Sequence, residues 1–143
     1  MSTHEAGGKP QIGSTFHSEP YTLDEEAARA YSQAIESTPR RTRPDNIHND
    51  PRAAQRAGYP APIAAGEHTQ AVLAEFLVDL FGLKFQRGGK LEVRFIRPVF
   101  YGDTLTARVR VLDQSAEGGY ELEVGVTNQS AQDVLTGRAH IPE

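Results

Sequence analysis

The chain has no cysteine among its 143 residues, which rules out disulfides, thiolate nucleophiles and zinc sites built on cysteine sulfur. It has no excess of positive charge either. Lys and Arg number 15 against 19 Asp and Glu, a net charge of −4, so bulk electrostatics give a nucleic-acid role no footing. Long apolar runs are missing too, and the longest stretch falls well short of the ~20 residues a membrane helix needs. The first ten residues, MSTHEAGGKP, lack the apolar segment of a secretory signal. They read as a loose polar tail, and a cytoplasmic location is the default expectation. There are no internal repeats, and no alternation of strand and helix that would predict a doubly wound parallel sheet.

What is present suits one soluble globular domain, with 38% hydrophobic and 24% charged residues. Residues 1–10 are read as the tail and 11–143 as a single domain with a core of its own. Residues 11–21, QIGSTFHSEPY, predict a first strand. Thr22 and Glu25 have the spacing of a capping box, and Ala27, Tyr31, Ala34 and Ile35 recur at helical intervals. A helix over about 24–37 follows, ended by Pro39. Asp50-Pro51 predicts a second, short helix, with the aspartate as cap and the proline at the first helical position. Gly58 stops it as a left-handed residue.

After the extended Tyr59-Pro60-Ala61-Pro62 link, Ile63-Ala64-Ala65-Gly66 opens the most apolar helix of the chain. Val72, Leu73, Phe76, Leu77, Leu80 and Phe81 form its stripe, and Gly82 closes it. Four runs of period-two alternation follow, around Leu91–Phe95, Leu105–Val111, Tyr120–Val126 and Val134–Ile141. Turn signals separate them, which predicts a meander of successive antiparallel strands. A curled sheet around one long helix is an α+β arrangement.

That order of elements resembles the hot-dog fold, and two segments narrow the resemblance. DNIHNDPRAAQRAGYPAPIAAGEHTQAVL, followed by LEVRFIRPVFYGDTLTARVRVL, is similar to the MaoC-like dehydratases, the group of (R)-specific enoyl-CoA hydratases. The likeness covers about residues 20–141. It implies a hydratase or dehydratase acting on an enoyl or β-hydroxyacyl thioester, or a related activated carbonyl, by histidine-mediated proton transfer. The acyl group would ride on coenzyme A or a carrier protein. No metal site and no cofactor are expected, and neither a nucleic acid nor a membrane as partner. A homodimer or higher homo-oligomer is expected, because a short curled sheet leaves an open edge.

Residue by residue, Ile47-His48-Asn49-Asp50 places His48 on the family's catalytic histidine. Asn46 falls on the family's proline, and Arg43 on its catalytic aspartate. Asp45, two residues later, is the candidate replacement carboxylate, and an Asx-turn residue is the other reading of it. An imidazole suits proton transfer near neutral pH, although a plain polar loop histidine stands as the alternative for His48. The resemblance puts the oxyanion donor at the start of the central helix, where N–H groups and dipole converge, hence Gly66 or its neighbour.

Asn46, Gly66, Glu67, His68 and Arg43 are therefore candidate substrate-binding residues. Arg43, with Arg40 and Arg41, could instead meet a phosphate or form a solvated charge run. Glu67 keeps a thioesterase open, since other hot-dog enzymes place a carboxylate near this point; a carboxylate favouring the helix start is the plainer reading. A specialised isomerase or cyclase, and a non-catalytic hot-dog subunit that pairs with an active partner, are the further alternatives. His17 and His140 are read as structural.

Overall fold

The computed structural model describes residues 9–35 and 46–143. Its elements run β1 (Thr15–His17), β2 (Tyr21–Leu23), α1 (Glu25–Ile35), α2 (Pro51–Arg56), α3 (Gly66–Phe81), α4 (Leu83–Gly88), β3 (Lys90–Phe95), β4 (Asp103–Gln114), β5 (Tyr120–Thr127) and β6 (Asp133–Ile141). Six antiparallel strands form one sheet in the order β1-β4-β5-β6-β3, with β2 also on β4. The sheet curls around α3, as the hot-dog resemblance implied. No helix among the described residues is long and apolar enough to cross a membrane.

The core follows from the two periodicities. Leu105, Ala107, Val109 and Val111 of β4, Leu122, Val124 and Val126 of β5, and Leu135, Ala139 and Ile141 of β6 are buried on the inner face. Leu73, Phe76 and Leu77 of α3 fill the concavity they make. The outer face pairs charges across strands, with Arg110 opposite Glu123 and joined to it at 3.2 Å.

Three local expectations are corrected. The strand read over 11–21 is two short strands, because Pro20 cannot donate to a ladder. Ser18 bridges the gap, its N–H donating to the Ala107 carbonyl and its Oγ accepting the Ala107 N–H. The cap of α1 is Asp24, whose Oδ1 accepts the Ala27 N–H at 2.8 Å. Thr22 is held in β2 instead, its hydroxyl bonded to that of Thr104.

The meander is confined to β4, β5 and β6. β3 pairs with β6 and not with β4, so the link over 96–102 crosses the sheet rather than turning a hairpin. Helix α4, with its six residues, was not expected at all. The α2 expectations hold. Asp50 Oδ1 accepts the Arg52 N–H at 2.9 Å, and Pro51 opens the helix. Gly58 at φ +91° lets Tyr59 N–H reach back to the Ala54 carbonyl, a paired C-terminal cap.

Candidate active site

Residues 46–50 form a tight turn closed on itself. Asn46 carbonyl accepts the N–H of Asn49 and of Asp50, and Asn46 Oδ1 accepts the His48 N–H at 2.8 Å. This is an Asx turn, in which a short amide side chain takes the place of a backbone acceptor. Ile63 then grips the turn from the other side. Its N–H donates to the Ile47 carbonyl at 3.0 Å, and its carbonyl accepts from His48 Nδ1 at 2.8 Å. Tyr101 adds a third hold, its hydroxyl donating to the His48 carbonyl at 2.6 Å. Burial, and then the charge of Glu25, push the Tyr101 phenol above its ordinary pKa, which keeps it a donor.

The bond to Ile63 fixes the chemistry of the ring. A carbonyl only accepts, so Nδ1 carries the hydrogen and Nε2 of the neutral ring keeps its lone pair. His48 is thus held at its N–H, its carbonyl and one ring nitrogen, with the second nitrogen left for chemistry.

His48 lines a cavity of about 310 Å³. The start of α3 forms one wall, through Gly66 and Thr69. Ala65 occupies the cap position without a side-chain hydrogen bond, so the helix end is not closed by its own cap. The opposite wall is the 96–99 segment, anchored by an irregularity in β6. Val126 pairs with Leu135 and Thr127 with Asp133, which leaves Val134 as the extra residue of a bulge. The bulge turns Val134 toward the cavity, and its carbonyl accepts the N–H of Ile96 at 2.8 Å. Phe95 lines the cavity with its ring against Gly66. A Cβ at position 66 would lie 3.1 Å from that ring, so any larger residue there would have to push the ring aside by a few tenths of an ångström. Arg97 stands exposed at the rim and donates to the Asp133 carbonyl at 2.8 Å.

Of the candidates named from sequence, His48 and Gly66 come together at this cavity. Asn46 lies in the turn that positions His48. Glu67 is exposed on the first turn of α3 and is not among the residues lining the cavity. His68 is 5% exposed and lies in a separate cluster. Its Nε2 shares a 3.0 Å hydrogen bond with the Tyr21 hydroxyl, and its ring stacks on Tyr31 with centroids 4.5 Å apart. Burial lowers its pKa below the ordinary imidazole value. Arg40, Arg41, Arg43 and Asp45 lie outside the described residues.

Sequence reasoning passed over Thr69, Phe95 and Arg97. Thr69 carried a signal: a polar residue three after Gly66 shares its helix face. The other two gave none, because only the fold carries the 95–99 segment to the helix start.

A second hollow, of about 560 Å³, opens at the far end of the sheet between the β4–β5 turn and the last residues. Asp113, Glu121, His140 and Glu143 line it, and His140 Nδ1 contacts the Glu121 carboxylate.

Comparison with known proteins places this geometry in context. Residues 41–134 match the family model described as MaoC like domain. Among curated proteins, a UPF0336 protein from Clavibacter michiganensis subsp. michiganensis is 29% identical over 129 residues, covering 85% of this chain and 80% of the relative. Among solved structures, a monoamine oxidase regulatory protein from Archaeoglobus fulgius is 27% identical with a TM-score of 0.71, covering 92% of this chain and 88% of that one. The R-hydratase PhaJ1 from Pseudomonas aeruginosa is 21% identical at the same TM-score of 0.71, covering 93% of this chain and 83% of that one, and so shares the fold.

Proposed function

The chain belongs to the MaoC-like dehydratase family, and from that membership we propose that it is a hydro-lyase, adding or removing water across the double bond of an enoyl thioester with His48 as the proton-transfer group. The observation that carries this reading is the fixed ring of His48 beside the uncapped start of α3, both on one cavity. In hydration, Nε2 takes a proton from water as the water oxygen bonds to the β-carbon. The alkene pair shifts to the bond between the α-carbon and the carbonyl carbon, and the carbonyl π pair moves onto the oxygen, giving an enolate held at the Gly66 N–H. The enolate then collapses as the α-carbon takes a proton back from the imidazolium, with Asp45 the candidate relay. Elimination is the reverse.

Two further features support an acyl thioester as substrate. The cavity is walled by apolar side chains (Ile63, Val99, Phe95, Val134), as an acyl group requires. Arg97 puts a cation at its rim, where a phosphate-bearing carrier arm would emerge. The larger hollow is a poorer fit, because its three carboxylates would repel such an arm.

The thioesterase reading loses support, since Glu67 does not line the cavity. The test is incubation with crotonyl-CoA. Decay of the enoyl absorbance without release of thiol is the expected result. Free coenzyme A with no hydration would overturn the assignment in favour of hydrolysis.

A further inference from the structure

Thr69 is 2% exposed, yet it lines the cavity, and its hydroxyl makes no hydrogen bond to any described residue. The hydroxyl keeps access to the cavity, so its hydrogen-bonding capacity is met there and not by the protein. Its neighbours on α3 show the contrast, because buried His68 has its partner in Tyr21 while Thr69 has none. Thr69 follows Gly66 by three positions and so shares its helix face. Side chains on a helix lean back toward its N-terminus, so the Thr69 side chain lies over the turn that begins at Gly66. Hydroxyl and uncapped helix start thus converge on one region of the same cavity.

We propose that the Thr69 hydroxyl is a second hydrogen-bond donor to the thioester oxygen, completing with the Gly66 N–H a two-donor oxyanion site. The proposal rests on the hydro-lyase reading for its chemistry and on the unpartnered hydroxyl for its location. A backbone N–H alone leaves one lone pair of the enolate oxygen unserved, and a hydroxyl in a water-poor cavity serves it without reorganisation. Threonine also suits the place sterically, since its methyl continues the apolar wall. Valine keeps that shape and removes only the donor.

The experiment uses Thr69→Val and Thr69→Ser in the full chain, with two probes. The first is butyryl-CoA labelled with carbon-13 at the carbonyl. It is saturated and cannot be hydrated, and its infrared carbonyl band reports the donors around the oxygen. The wild type and Thr69→Ser should shift the band to lower frequency on binding, and Thr69→Val should shift it less. The second is crotonyl-CoA, for which Thr69→Val should lower kcat by on the order of 100-fold with KM nearly unchanged, as expected for an oxyanion donor. Thr69→Ser should retain most of the rate.

A band shift and kcat in Thr69→Val equal to the wild type would overturn the proposal, as would equal impairment of both variants. The two readings separate cleanly. A wild type that does not hydrate crotonyl-CoA but shifts the band more than Thr69→Val does loses the hydro-lyase assignment and keeps Thr69 as a donor. A wild type that hydrates crotonyl-CoA with no shift of the butyryl-CoA band keeps the first and loses the second.

Discussion

Two histidines, twenty residues apart in the chain, show how environment assigns roles. His48 is half-buried, and every hydrogen bond it makes fixes position while leaving Nε2 available. His68 is buried between Tyr21 and Tyr31, where charging it is penalised. The phenol of Tyr21 is itself pushed up by burial and then by the charges of Asp24 and Glu75, so it stays a neutral partner. This has a consequence for stability. The folded-state pKa of His68 lies below its ordinary 6.5, so as pH falls through that value the unfolded chain takes up a proton the folded chain refuses. Stability from this site is complete above pH 6.5 and is lost as pH drops toward the lowered folded value. Urea denaturation at pH 7.5 and at pH 5 should therefore show a fall that His68→Phe reduces. An identical fall in both proteins would mean that His68 does not titrate on unfolding.

Among the elements, the edge strand β3 has the most consequence. Among the described residues it pairs with β6 only, and no described strand covers its other edge. Phe95 at its end is 54% exposed and Ile96 beyond it 47% exposed, and both line the cavity. An open edge flanked by exposed apolar side chains is what a second copy would cover. Sedimentation of the purified chain should give a dimer or larger assembly, and a single monomeric species at micromolar concentration would contradict this.

The same strand shows where sequence pattern stops. Its alternation revealed a strand, but alternation carries no information on which neighbour it joins. β3 followed by β4 in sequence reads as a hairpin, and only the crossing of the 96–102 link to the far side of the sheet brings β3 to β6. Thr22 failed for a related reason. It had the right spacing for a cap, but pairing with β4 claimed it and passed the role to Asp24. Where local chemistry alone decides, as at Asp50-Pro51 and Gly58, the pattern was legible to the residue.

At the scale of the whole molecule, the curled sheet and the central helix turn distant segments into one site. The 46–50 turn, the first turn of α3, the 95–99 segment and the bulge of β6 meet at one cavity. The turn and the helix start were legible, because a motif carries them. The far wall was not, because it is assembled by β3 lying against β6 and by the extra residue Val134. The bulk composition had already excluded cysteine chemistry, and the fold left one histidine with a free ring nitrogen beside an open helix start.

That arrangement rests the proposed reaction on His48. The decisive measurement is the rate of crotonyl-CoA hydration by His48→Ala, taken alongside its circular dichroism and melting curve. The expected result is a loss of at least 100-fold in turnover with a native spectrum, the scale on which a general base acts. Hydration at the wild-type rate by a folded His48→Ala protein would contradict it.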